Sequence, residues 1–199
     1  LKDMDKAVKR INRALDDGES ICIYGDYDCD GVTSTALLYT FLSALGGFVS
    51  YYIPNRATDG YGMNFKAIDK IKADGTDLII TVDNGISSIE EAEYIYSLGM
   101  QLIVTDHHQI GENLPRAEAV INPHREDNEI EFRDFAGVGV AFKLACALYD
   151  GDVEDLLEDY ADYVTIGTIG DMVPLLNENR AIVKAGLKLI NTDAKIGIS

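Results

Sequence analysis

A doubly wound α/β domain is the fold class this sequence predicts: a mostly parallel five-stranded sheet with flanking helices and a helical C-terminal part. Three observations predict it. Short apolar runs recur at 21–24, 48–53, 78–82, 102–105 and 119–121. Segments of helical period separate most of them. Three of the runs lead directly into acids, at 25–31, 83–85 and 106–108. In an open sheet of this kind, ligands gather just past the carboxyl ends of the strands.

The elements follow in order. Met4, Ala7, Val8, Ile11, Ala14 and Leu15 keep a helical period over 2–17, and Asp17-Gly18 stops it. The first strand spans about 20–25. An acidic turn follows, then a helix over about 33–45 that ends at Gly46-Gly47. Phe48 to Ile53 reads as the second strand, and Pro54 opens a loop. A helix over about 64–73 stops at Asp74-Gly75, before the third strand at Leu78–Val82. The next helix covers about 87–98, and Leu102–Thr105 is the fourth strand. Ala119–Ile121 is a short fifth strand. The sheet part thus ends near residue 121. After a polar loop at 122–135, helices are expected at 137–149, 153–169 and 178–191, with Gly170-Asp171 before the last. No internal repeat or low-complexity tract interrupts this order.

Composition bounds the rest. With 199 residues, 47% of them hydrophobic, one core-forming domain is the default. A formal net charge of −17 argues against a general nucleic-acid-binding surface. It does not exclude a nucleic-acid enzyme, because bound metal ions or a separate basic domain would supply positive charge. Cys22, Cys29 and Cys146 show no paired or knuckle spacing and read as free thiols in a reducing, cytoplasmic setting. No signal peptide opens the chain, and no apolar run is long enough for a membrane span. The start at Leu1, inside a helical pattern and without methionine, suggests a fragment of a longer protein.

The chemistry concentrates at three strand ends. Asp26, Asp28 and Asp30 alternate in Gly25–Gly31. In extended chain, residues two apart lie on one face about 7 Å apart, where each like-charge pair costs roughly 2–3 kcal/mol at an effective dielectric near 20. A divalent cation would offset that cost; a solvated acidic turn is the competing reading. Asp83 ends the third strand, and Asp106, His107 and His108 end the fourth. Parallel strands bring these ends to one edge. Oxygen ligands with an imidazole suit Mn²⁺ better than Ca²⁺. Asp83, on the middle strand, is the candidate bridge between two ions. Alternatively, Asp83-Asn84-Gly85 is only a turn with Asn or Gly left-handed. Asp106 reads as a cap that orients a neighbouring histidine. Because His107 and His108 are adjacent, they are expected to face opposite ways, with one available to a metal. His124 is expected to be solvated. Asp171 is delivered by the helical tail, or is simply a turn residue. Arg56, beside Asp59-Gly60-Tyr61-Gly62, would hold a phosphate, or else pair with a surface acid. Gly137-Val138-Gly139 opens a helix whose glycines favour packing over anion binding.

The motifs YGDYDCDGVTS, PNRATDGYGMN, TVDNGIS, TDHHQ, INPH, FAGVGVAFKLA and GTIGDMVPLLNENR occur in that order. Together they resemble the amino-terminal catalytic domain of the RecJ-type single-strand-specific exonucleases, within the DHH phosphoesterase superfamily. The resemblance runs from about residue 20 to 191. It implies hydrolysis of single-stranded DNA from the 5′ end to 5′-mononucleotides, with Mn²⁺ or Mg²⁺, in DNA repair and recombination. It implies Asp28 on a first metal, Asp30 on a second and Asp83 between them, with His107 and Asp171 completing the second site. Asp26 would support the metal ligands, His108 and Arg56 would face the phosphate, and Asp106 would support His108. Related enzymes often have a histidine where Tyr24 stands, so the first ion is expected to bind weakly. The second lobe with its glycine-rich, histidine-containing motif, and an oligonucleotide-binding domain, are not recognisable here. The expected partner is single-stranded DNA, met by a monomer alongside a helicase or single-strand-binding protein. A pyrophosphatase or small-nucleotide phosphodiesterase of the superfamily is an alternative. A non-catalytic replication scaffold is disfavoured by the retained acids. A dinucleotide-binding oxidoreductase is disfavoured by acids standing where phosphate-binding glycines are needed.

Overall fold

The structure, a computed structural model, describes residues 1–56, 60, 62–192, 195 and 198. Five strands form one sheet: β1 (Ser20–Tyr24), β2 (Phe48–Tyr52), β3 (Leu78–Val82), β4 (Gln101–Thr105) and β5 (Ala119–Ile121). Their order is β2-β1-β3-β4-β5, and every neighbouring pair is parallel. β3 is central and buried along its whole length. That explains its unbroken apolar sequence, because a strand covered on both faces has no polar side.

Seven helices are found among the described residues: α1 (Met4–Asp17), α2 (Cys29–Ala44), α3 (Phe65–Ala73), α4 (Ile89–Ser97), α5 (Gly137–Leu148), α6 (Val153–Gly170) and α7 (Asn177–Thr192). Alternation along the strands divides the interior into two apolar layers. Ile21, Ile23, Leu78, Ile80 and Ile103 face a layer shared with α1, α2, α5 and α6. Cys22, Tyr24, Ile79, Leu102 and Val104 face the opposite layer, closed by α3 and α4. No helix among the described residues is long and apolar enough to cross a membrane.

One expected boundary is corrected. α2 starts at Cys29, not near 33, because the Asp28 carboxylate accepts the Gly31 N–H at 2.9 Å and caps the helix. The 25–31 stretch is therefore a helix entrance. Asp28 and Asp30 occupy its cap and first turn rather than alternating along extended chain. Beyond the sheet, α6 packs on α2 and α7. At Gly167 on α6 an added Cβ would come within 2.7 Å of Val138 Cγ1 and 2.9 Å of Asp30 Oδ1. Only glycine allows α6 so close, and that approach returns its C-terminal end, Asp171, to the strand edge.

Candidate metal centre

Asp26 lies just past the end of β1; it is 2% exposed and accepts the Tyr27 N–H at 2.7 Å. Asp28 and Asp30 follow at the start of α2. Asp30 is 1% exposed, and both of its oxygens are held from across the molecule: Gly137 N–H donates to Oδ2 at 2.5 Å and Val138 N–H to Oδ1 at 2.8 Å. The N-terminus of α5 thus holds an anion, and the anion is a side chain of the same protein. Of the two readings of 137–139, the preferred one, packing over anion binding, is corrected: the N–H groups do hold an anion. Close packing is also real, since a Cβ at Gly137 would lie 2.6 Å from Asp83 Cβ.

Asp83 sits at the end of β3 and is 1% exposed. Its φ of 61° places it, with Gly85 at 105°, in the left-handed region; Asn84, one of the two residues expected there, is not. Asn84 instead ties strand ends together, donating to the Val82 carbonyl at 2.9 Å and the Tyr24 carbonyl at 3.2 Å. His107 Nε2 lies 3.1 Å from Asp83 Oδ1 and 3.7 Å from both Asp30 Oδ2 and Asp171 Oδ2. His108 Nδ1 lies 4.0 Å from the same Asp83 oxygen. The two imidazoles therefore do not face opposite ways. They leave the pleat after Thr105, and both approach Asp83, with ring centroids 4.5 Å apart.

Asp106 is committed to this turn. Its Oδ1 accepts the N–H groups of His107 and His108 at 2.7 and 3.1 Å and contacts His108 Nδ1 at 2.8 Å, while Oδ2 accepts the Ile86 N–H at 2.9 Å. Asn122 donates to the His108 carbonyl at 2.9 Å and fixes the turn from β5. Sequence reasoning gives Asn122 no role of its own; the INPH motif at a strand end is the signal that points to it.

Among the described residues, three groups of side chains each bring one ligand atom within 4.8 Å of the others: Asp26, Asp28 and Asp83; Asp30, His107 and Asp171; and Asp83, His107 and His108. Asp83 belongs to two of them. Arg56 stands apart, exposed, with its guanidinium 5.5 Å from the Tyr27 ring. Asp59 and Tyr61 lie outside the described residues. His124 is half-buried rather than solvated, and burial lowers its pKa. Tyr24 donates its hydroxyl to the Gly62 carbonyl at 3.1 Å and is in none of the three groups.

The electrostatics are those of crowded acids. Burial, then the charges of Asp30 and Asp28, push the Asp83 carboxyl up to about 10. Burial raises Asp30 to about 6 against the pull of the Val138 N–H. Burial also raises Asp26 and Asp171. The Asp106 hydrogen bond raises His108. Both Asp83 oxygens and His107 Nε2 are buried and have no hydrogen-bond partner among the described residues. Buried polar atoms normally have partners. Acceptor atoms converging from several acids and an imidazole fit divalent cations that take mixed oxygen and nitrogen ligands.

The DHH family, N-terminal domain, is matched over residues 20–168. The chain belongs to the DHH family. Over 198 residues this DHH chain is 46% identical to the single-stranded-DNA-specific exonuclease RecJ of Bacillus subtilis (strain 168), covering all of this chain and 25% of that protein. The crystal structure of exonuclease RecJ bound to manganese superposes with a TM-score of 0.88 at 38% identity, over all of this chain and 50% of that one. A RecJ structure in complex with Mg²⁺, from Thermus thermophilus, gives a TM-score of 0.68 at 33% identity, over all of this chain and 25% of that one. The DHH chain therefore spans about a quarter of the length of the curated relative with which it was aligned.

Proposed function

We propose that this domain hydrolyses phosphodiesters with divalent metal ions and that, within a longer protein, it removes 5′-mononucleotides from single-stranded DNA in the 5′ to 3′ direction. One observation carries the proposal: carboxylates from the ends of β1 and β3 and from α6 converge with His107 from the end of β4, and the buried ligand atoms of Asp83 and His107 lack partners among the described residues. Likeness to exonucleases named for single-stranded DNA supports the substrate.

In this reading Asp26, Asp28 and Asp83 would hold one Mn²⁺ or Mg²⁺, and Asp30, His107 and Asp171 would hold a second. When bound, such a pair supplies an acidic water and neutralises the charge of an in-line displacement. The protein does the rest. The α5 N–H groups fix the Asp30 carboxylate against rotation. Asp106 holds His108 by Nδ1, so the imidazole is oriented and its cationic form is favoured. His108 then stabilises charge on the scissile phosphate. Arg56, supported on Tyr27, takes a substrate phosphate. The further domains of the longer protein grip the DNA, and the protein acts as a cytoplasmic monomer receiving strands from a helicase or single-strand-binding protein.

The test is cleavage of 5′-labelled single-stranded DNA by the longer protein, with Mn²⁺ and with chelator, for wild type and Asp28→Asn. Mononucleotide release that needs both the metal and Asp28 is expected. Phosphate release from pyrophosphate with the DNA left intact would instead select the small-substrate alternative.

A further inference from the structure

A cavity of ≈ 300 Å³ opens beside His108, and the chemistry described so far does not use it. Met63 and Ile86, 5% and 2% exposed, form an apolar wall. Ser88, Glu91 and Gln109 supply the polar one. Ser88 is only 9% exposed and stands at the cap of α4, yet its side chain makes no capping hydrogen bond. Among the described residues its hydroxyl has no other partner, and the Glu91 carboxylate has no ion pair. A concave site with a few unused polar groups and an apolar wall is how small ligands are usually held; this one is half-open, and its volume is at the small end of that range.

Position and charge narrow the ligand. His108 lines the cavity, and its Nδ1 is 4.0 Å from Asp83 Oδ1. His108 thus joins the cavity to the carboxylate cluster, so a nucleotide whose phosphate is held at the cluster would have its nucleoside within reach of the cavity. Glu91 repels any second phosphate, so the occupant is the uncharged part of the nucleotide. The apolar wall of Met63 and Ile86 suits the face of a base. A carboxylate accepts from an exocyclic amino group, whereas thymine presents a carbonyl oxygen and a methyl group at the same edge.

We propose that this cavity is a nucleobase subsite in which Ser88 holds the base by a hydrogen bond and the acceptor-only Glu91 carboxylate favours a base carrying an exocyclic amino group over thymine. The proposal rests on the phosphodiesterase reading, since the phosphate anchors the nucleotide.

Calorimetric titration of the full chain tests it, first with Mn²⁺ alone, then with deoxycytidine or thymidine 5′-monophosphate in the presence of Mn²⁺. Deoxycytidine monophosphate is expected to bind about 5-fold more tightly, the worth of one ordinary hydrogen bond. Glu91→Gln should bring the two nucleotides within about 2-fold of each other. Ser88→Ala should weaken deoxycytidine monophosphate about 5-fold and leave Mn²⁺ affinity unchanged. Neither variant removes a cap bond or an ion pair, and unchanged thermal melts will confirm that both fold. Mn²⁺ binding with equal affinity for the two nucleotides, or with both variants indistinguishable from wild type, overturns the subsite alone. Failure to bind Mn²⁺ overturns the phosphodiesterase reading, and the subsite falls with it.

Discussion

Asp83 concentrates the tension of the site in one residue. It is 1% exposed, left-handed at φ 61°, and both its oxygens lack hydrogen-bond partners among the described residues. Its carboxyl is raised from 3.8 to about 10, so at neutral pH the folded chain keeps a proton that the unfolded chain has lost. Stability therefore falls as pH rises between those values in the absence of metal. Asparagine also tolerates left-handed backbone, so Asp83→Asn removes the charge and spares the conformation. The variant is expected to be about 1–3 kcal/mol more stable than wild type in chelator, measured by urea unfolding at pH 8. It should also lose at least about 100-fold in Mn²⁺ affinity, a loss larger than supporting residues give. A variant no more stable than wild type, or one that retains Mn²⁺, would refute this. Gly137→Ala acts on the same residue from the other side. Its Cβ would lie 2.6 Å from Asp83 Cβ and 2.8 Å from Oδ1. The start of α5 must shift, releasing Asp30. About 1–3 kcal/mol of destabilisation is expected, together with weaker Mn²⁺ binding in the same titration.

At the level of elements, legibility in the sequence divides by range. β3 and β5 fall at their expected residues because a buried strand is a local apolar run bounded by polar turns. The start of α2 is less legible: whether Asp28 caps a helix depends on one hydrogen bond to Gly31, and aspartate is equally at home in turns. The N–H groups that hold Asp30 lie more than a hundred residues away, at 137 and 138, and no local period can report such a contact. The loop at 122–128 is similar. Read as a polar connection, it ties the start of α1 to the histidine turn. Arg125 bonds Asp3 and the Val120 carbonyl, each at 2.7 Å, and Asn128 donates to the carbonyls of Asn122, Pro123 and Arg125. Burial alone would raise the Asp3 carboxyl, but the hydrogen bonds from Lys6 and Arg125 outweigh it and hold the pKa below 3.8. A depressed folded-state value means that this contribution is complete above 3.8 and is lost as pH falls through the folded value. Asp3→Asn is thus expected to cost about 1 kcal/mol at pH 7, kept small because its partner Lys6 is exposed. The gap to wild type should close in acid. A gap in urea midpoints that persists unchanged to about pH 2 would show that Asp3 acts through packing rather than charge.

For the whole molecule, the balance of charge governs behaviour. The chain carries −17, and its candidate centre adds buried acids to an already anionic surface. Cations that bind only the folded chain should therefore stabilise it by mass action. Mn²⁺ at about 100 times its dissociation constant contributes about 2.7 kcal/mol, a rise of roughly 5–10 °C in melting temperature for a chain of this size, and Asp83→Asn should abolish the rise. The same charge opposes DNA. Affinity for a polyanion comes mainly from phosphate contacts by Lys and Arg, and this chain has 17 such residues against 34 acids. Two cations offset only a small part of that excess. The domain by itself should consequently bind Mn²⁺ yet degrade single-stranded DNA poorly, while a chain extended to the length of the RecJ relatives should degrade it well. Assayed side by side at low salt, the two should differ by at least about 100-fold in rate, since the missing grip amounts to several phosphate contacts. Equal rates would mean that the strand edge alone holds the substrate. In that case the grip would have to come from Arg56 and the ions themselves, and Arg56→Ala would then have to abolish cleavage in both chains.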